Sequence, residues 1–415
     1  MKTVKTNTGR IPFLDFLRGV ALLGILLIHC VQQFNVLYPT SYEGLFGDFF
    51  SGQFEATLNF LIAGKFILIF SLLFGISFGL QAKMKREYDS PLFFYSKNLV
   101  LFVFGFAHLM IYSGDILSKY AIMAVVLYLL VKGLKPIYIK ILFLVFFFQL
   151  IPAALLLVQG DLFKQELVDQ RIRGPIYQFS GLSEVIYYNM ETSWLQAFTK
   201  KMLSPRMHRI FAFFLLGYLI TTYDLRRLLK RSENWSKHVF VVLSVAVGLL
   251  YWMKFYMGGL GIEGIFKNSF SSNGFMTFAL THLWKWFILL VITSFWICSV
   301  LLLHQSTDPR SWFIKMFSNV GKMSLTNYLL QSILCVIIFY GFGFGLYALG
   351  LEWRLLLGMI VFLMLAFYST YSLDRYNYGP FEELWKNLSK WVYSLHALPS
   401  SVIPLGVKKY LKRKL

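Results

Sequence analysis

The sequence predicts an all-α fold, a polytopic membrane helix bundle of about ten transmembrane helices with both termini cytoplasmic. Three observations carry that prediction. Hydrophobic residues make up 57% of the chain and charged residues only 14%, where globular domains carry about 25% charge, and the mean hydropathy is +0.61. Apolar runs of about 20 residues, the length needed to cross a hydrocarbon core of about 30 Å, recur from end to end. Most Lys and Arg fall in short stretches on alternate sides of those runs, as in cytoplasmic loops.

The first run, LDFLRGVALLGILLIHC, carries Asp15 and Arg18 and lacks a small-residue cleavage site. It is therefore expected to stay as a first span, 12–35, rather than be removed as a signal peptide. Further spans are expected near 57–81, 91–113, 115–132, 137–159, 209–224, 238–257, 277–304, 323–343 and 353–373, the sixth being the shortest. Lys2, Lys5 and Arg10 precede the first span, Lys83, Lys85 and Arg86 follow the second, and Arg226, Arg227, Lys230 and Arg231 follow the sixth. That alternation places the N-terminus inside and assigns the net charge of +20 to topology, with no nucleic-acid partner expected.

Residues 160–208 form the only sizeable loop, expected on the outer side. Within it LSEVIYYNMETSWLQAFTKKM mixes aromatic and charged residues at helical spacing, the pattern of an amphipathic helix on the surface and a candidate lid. Residues 1–373 thus constitute the bundle and 374–415 a cytoplasmic tail. In the tail, FEELWKNLSKWVYSL reads as an interfacial helix and KKYLKRKL as a basic end suited to anionic membrane lipid.

Cys30, Cys298 and Cys335 lie in apolar segments without metal-ligand spacing, so neither disulfides nor a metal site is expected, and they read as small buried hydrophobes. The chain has no Walker motif, GxSxG, HExxH or CxxC, which removes the common soluble-enzyme signatures.

Chemistry must then come from the few ionisable residues within the spans. Arg18 and His29 lie eleven positions apart, which returns both to within about 20° of one helix face and separates them by about 16 Å along the axis. Ionisable side chains in a bilayer cost about 2.5 kcal/mol or more and point to a wet or buried functional site. Arg18 reads equally as a partner of Asp15 or as a side chain snorkelling to the headgroups. His29 and His108 lie at similar depth toward the outer side, as a general-base pair would, although either also serves as a simple helix-to-helix hydrogen bond. Asp115 follows His108 by seven residues. It either orients the imidazole or caps the next helix, two compatible roles. Lys65 suits a phosphate or carboxylate, or pairs with Glu55, whereas Lys254 and Lys285 are expected to snorkel and Trp284 and Trp286 to join an aromatic belt.

Five stretches, LDFLRGVALLGILLIH at 14–29, FSLLFGISFGLQ at 70–81, FGFAHLMIYSGDILSKYA at 104–121, GKMSLTNYLLQSILCVIIFYGFGFGL at 321–346 and YGPFEELWKNLS at 378–389, resemble the bacterial YeiB-like membrane proteins, domain of unknown function 418. That family is grouped with multi-pass membrane acyltransferases, among them acyltransferase family 3 and heparan glucosaminide acetyltransferase. The former carries Arg or Lys, ten residues, then His in its opening helix, a spacing matched by Arg18 and His29. Family members often carry Asn where His29 stands, which shifts weight to His108. The resemblance implies a cell-membrane acyltransferase that takes an acyl group from cytoplasmic acyl-CoA to a cell-envelope glycan or lipid-linked acceptor. His29, His108 and Asp115 would be catalytic, and Arg18, Asp15 and Lys65 substrate-binding. A transporter or flippase for a small polar solute or lipid is the alternative.

Overall fold

Serine-proline pairs start two of the helices that frame the site. The Ser90 and Ser204 hydroxyls accept hydrogen bonds from the backbone N–H groups of Phe93 and Met207, and Pro91 and Pro205 take the first helical position. There a missing N–H costs nothing and a fixed φ favours the helix. The computed structural model describes residues 11–32, 34, 47–83, 90–151, 174–192, 204–256 and 274–396. The helices are α1 Pro12–Gln32, α2 Gly47–Ile62, α3 Lys65–Lys83, α4 Pro91–Ile111, α5 Leu117–Gly133, α6 Pro136–Phe147, α7 Leu182–Met190, α8 Pro205–Ile220, α9 Leu225–Ser232, α10 Ser236–Tyr256, α11 Gly274–Ser306, α12 Trp312–Lys322, α13 Ser324–Phe339, α14 Leu351–Arg375 and α15 Pro380–His396. Among the described residues there is no strand.

Among the described residues, six helical segments are long and apolar enough to cross a membrane, seven if α12 and α13 form one bent span. The chain is a membrane protein on that count. Segments α5, α6 and α8 are helical where spans were expected but shorter, and 16 residues of α8 reach only about 24 Å. The expected second span is continuous in hydropathy over 52–82, yet Ala63 and Gly64 interrupt it, with Gly64 at φ 79°, a conformation glycine adopts freely. The expected ninth span departs further: α13 meets α12 at 85° about Met323. Of the outer loop only α7, the short helical stretch 174–179 and flanking residues are described, and most of it, with the basic end at 408–415, lies outside the described residues.

Small residues set the closest helix crossings. A Cβ on Gly19 of α1 would overlap the Phe317 carbonyl of α12, and one on Gly321 of α12 would overlap the Asp15 carbonyl of α1. These two helices therefore run antiparallel at a distance only glycine allows. On the other side of α1, α3 and α8 run parallel, with Gly75 against Phe214 and Gly79 against Thr221. That register puts the first residue of α3, Lys65, level with the first turn of α8. The main apolar core fills the space between α1, α3, α8, α12, α13 and α14, while Phe60, Val247, Leu250 and Ile292 form a separate small cluster between α2, α10 and α11. Val241, Val242 and Val245 of α10 are more than half exposed, as suits a face turned to lipid. The tail helix α15 lies against α4, where Trp385 Nε1 donates to the Lys97 carbonyl at 2.8 Å.

Candidate functional site

His108 sits in the last turn of α4, and the chain then turns through Tyr112–Ile116 before α5 begins at Leu117. The two helices approach closely because Gly105 lies against the backbone of Ser118, where a Cβ would collide. Asp115 Oδ1 lies 2.9 Å from His108 Nδ1 and accepts from Leu117 N at 3.2 Å; Oδ2 accepts from Ser118 N at 3.0 Å and from Ser118 Oγ at 2.6 Å. Helix α4 does not continue through Gly114. The turn itself brings the carboxylate back, and Asp115 both caps α5 and holds the imidazole.

An acceptor at Nδ1 selects the tautomer with its proton there and leaves the Nε2 lone pair free. Nε2 is buried and has no hydrogen-bond partner among the described residues. Two aromatic walls flank the ring, Tyr112 at 5.4 Å and Tyr328 of α13 at 5.2 Å between centroids. Tyr328 is fixed in turn, since its hydroxyl accepts from Ile116 N at 3.1 Å. His29, near the end of α1, lies 5.3 Å from the same Tyr112 ring, and Phe34 stacks on that tyrosine at 5.6 Å. The two histidines therefore converge on one shared, fully buried ring.

Arg18 and Asp15 belong to the other end of α1. Arg18 Nη1 donates to Asp15 Oδ1 at 2.7 Å and Nη2 to Ser77 Oγ of α3 at 2.6 Å, while the Ser77 hydroxyl donates to the Leu73 carbonyl. The Arg18 side chain is 20% exposed and that of Asp15 only 2%, so the arginine is a fastened part of the bundle with some of its surface still open. Lys65 joins neither group. Its contacts lie with α2 and α10, where Nζ donates to the Asn59 carbonyl at 3.3 Å, and no ion pair to Glu55 forms among the described residues. Among the described residues, no three His, Cys, Asp or Glu side chains converge as a metal site.

Three residues absent from the sequence reading complete these sites: Tyr112, Tyr328 and Ser77. Tyr112 had a signal, because it follows His108 by one helical turn. Tyr328 and Ser77 come from helices distant in sequence and had none.

Outside the apolar spans, Glu382 of α15 performs a capping role for another helix. Its Oε1 accepts from Leu325 N at 2.8 Å and Thr326 N at 3.1 Å, and Oε2 accepts from Thr326 Oγ1 at 2.5 Å. Burial raises its carboxyl above the ordinary carboxylate value, and the donated hydrogen bonds only partly oppose that effect.

Residues 225–392 match the family model described as "Protein of unknown function (DUF418)". The matches support a YeiB-like DUF418 family. The similarity to individual relatives extends over most of the chain: YxaH of Bacillus subtilis is 28% identical over 408 residues, covering 91% of this chain and 94% of its own. YeiB of Escherichia coli is 25% identical over 420 residues, covering 91% and 95%, and an uncharacterized 39.9 kDa protein of Bacillus acidopullulyticus is 24% identical over 396 residues, covering 92% and 94%. All three are described as uncharacterized. No solved structure matches. The family-model segment contains Tyr328 and Glu382, whereas Arg18, His29, His108 and Asp115 lie ahead of it.

Proposed function

We propose that the protein is an integral membrane acyltransferase that moves an acyl group from cytoplasmic acyl-CoA to an extracytoplasmic or lipid-linked acceptor. The observation that supports this reading best is the Asp115–His108 pair, with Nδ1 held at 2.9 Å and Nε2 unengaged. In the reaction, Nε2 takes the proton of an acceptor hydroxyl as its oxygen attacks the thioester carbonyl. A C–O bond forms, the C–S bond breaks, and the imidazolium returns its proton to the departing thiolate. Nε2 is buried and the imidazole lies beside the Tyr112 and Tyr328 rings, so the acceptor reaches it when a neighbouring side chain moves. Arg18, at the end of α1 assigned to the cytoplasm, presents a partly exposed guanidinium to the phosphates of the acyl-CoA, a task suited to that planar cation.

The test is transfer of label from radiolabelled acetyl-CoA to envelope extract by the purified protein. Loss of transfer in His108→Ala is expected, with a partial loss in His29→Ala. Full transfer by both variants overturns the histidine mechanism. A second reading, transport of a small polar solute or lipid, draws on the 85° break at Met323, because broken helices at membrane depth commonly line transport paths. Uptake into proteoliposomes driven by a pH gradient, without acylated product, would favour it.

A further inference from the structure

The His108 chemistry leaves open how anything reaches a buried imidazole, and one element lies across the approach. Residues 174–192, the helical stretch 174–179 followed by α7, are docked on the ends of α13 and α4. Tyr177 is fully buried. Its carbonyl accepts from Gly341 N at 2.8 Å, and its ring stacks on Tyr340 with centroids 4.5 Å apart and planes at 21°. Its hydroxyl donates to Asn189 Oδ1 at 2.5 Å, and Asn189 Nδ2 donates in turn to the carbonyl of Met110 at 3.0 Å, two residues after His108. The fit is close. A Cβ on Gly341 would overlap the Gln178 carbonyl, an approach of two backbones that glycine permits.

From Tyr177 a column of rings leads to the two histidines. Tyr340 lies 6.3 Å from Phe34, Phe34 stacks on Tyr112 at 5.6 Å, and Tyr112 stands 5.3 Å from His29 and 5.4 Å from His108. All four aromatic rings are fully buried, and Tyr177 is the one that the docked segment supplies. That segment can lift without unmaking the bundle. Its backbone hydrogen bonds include local ones, Ser180 N to the Ile176 carbonyl at 3.1 Å and Val185 N to the Gly181 carbonyl at 3.2 Å, while Phe179 and Tyr187 are 74% and 70% exposed. An element with internal hydrogen bonds and an exposed face opens more readily than the core helices on which it rests.

We infer that residues 174–192 are a gate over the histidine centre. Closed, Tyr177 seats on Tyr340 and completes the ring column; open, it leaves that seat and uncovers the way past Tyr340 and Phe34 to Tyr112. That the molecule admitted is the acyl acceptor rests on the acyl-transfer reading. The movement itself is read out without any transfer.

The experiment follows carbethoxylation of each histidine of the full-length protein by diethyl pyrocarbonate, with mass spectrometry as the readout. The reagent modifies unprotonated imidazole nitrogen, so it reports arrival at His29 and His108 with no acyl-CoA present. Both should react slowly in the wild type. Tyr177→Ala removes the ring and Gly341→Ala obstructs the seat, and each should speed both histidines at least about tenfold by favouring the open segment. His304, which packs against Phe13 and Phe16 at the other end of α1, should keep its wild-type rate. Unchanged rates at His29 and His108 in both variants overturn the proposal, and so does equal acceleration at His304, the mark of general loosening. Hydrogen exchange of the wild type gives a test that needs no variant to fold: 174–192 and the Gly341 amide should exchange faster than the interior of α13. Equal protection of the two overturns the gate. Faster labelling in a protein that transfers no acyl group keeps the gate and removes the transfer reading, whereas wild-type labelling in variants of a working transferase removes the gate alone.

Discussion

Asparagine at position 115 separates the two tasks of the carboxylate. Oδ1 serves His108 Nδ1 and Leu117 N, and Oδ2 serves both donors of Ser118. An asparagine has one acceptor oxygen, and it is expected to face Ser118, where two donors lie at 3.0 and 2.6 Å. Its NH₂ then points at Nδ1 and at Leu117 N. The imidazole can adapt only by moving its proton to Nε2, which turns the proposed base into a donor, while Leu117 N–H loses its acceptor. The stability cost is that of one unsatisfied buried donor, about 1–3 kcal/mol, and the cap to Ser118 survives. The loss in transfer should be far larger, about 10²–10⁴-fold, the usual contribution of a positioned general base. Thermal unfolding, labelled acetyl transfer and ¹⁵N shifts of selectively labelled histidine measure the three parts. Transfer at the wild-type rate together with an inverted tautomer would refute the reasoning, because Nε2 would then not be the base.

Three further expectations concern the scaffold and the other end of α1. Gly105→Ala should drive α5 away from α4 and cost about 1–3 kcal/mol by overpacking, read as a lower melting temperature with transfer lost alongside. Arg18→Lys cannot reach both Asp15 and Ser77, and losing one charged hydrogen bond should cost about 1.5–3 kcal/mol. Its KM for acyl-CoA should rise roughly tenfold, with kcat little changed, in steady-state kinetics. Glu382 has a folded-state pKa raised above its ordinary value of 4.5, so the folded protein holds that proton more tightly than the unfolded one. Its contribution is present in full below the ordinary value and is lost as pH rises through the raised value. Denaturation of Glu382→Gln across that window should show a flatter pH dependence than wild type.

Helix existence was legible in the sequence because apolar runs near bilayer length leave few alternatives. The ten expected segments all contain helix. What escaped was the geometry of interruption. Beside the 85° turn at Met323, the start of α13 is capped by Glu382, and no local pattern in GKMSLTN reports a cap that arrives from so far along the chain. The pairing of His108 with Asp115 was visible as spacing, but its route was not. A helical wheel puts the two residues on one face, whereas the structure joins them through a turn after Ile111. The convergence of His29 on Tyr112 joins the end of α1 to the turn after α4, a tertiary meeting that neither segment reports by itself. Arg18 and Asp15 were the easiest pair to foresee, three residues apart on one helix, although Ser77, the second contact of the guanidinium, was not.

The contact from Glu382 back to Thr326 spans 56 positions, and it sets an order of assembly. During synthesis the residues of α13 are made before Glu382, which accepts from two N–H donors in its first turn, Leu325 N and Thr326 N. Until the tail helix arrives, that helix start is an open socket at the foot of the element that carries Tyr328. A chain stopped short of α15 would contain every proposed catalytic side chain and still lack the part that finishes the frame holding them. The tail helix, read from its sequence as interfacial, is thus also a cap for α13.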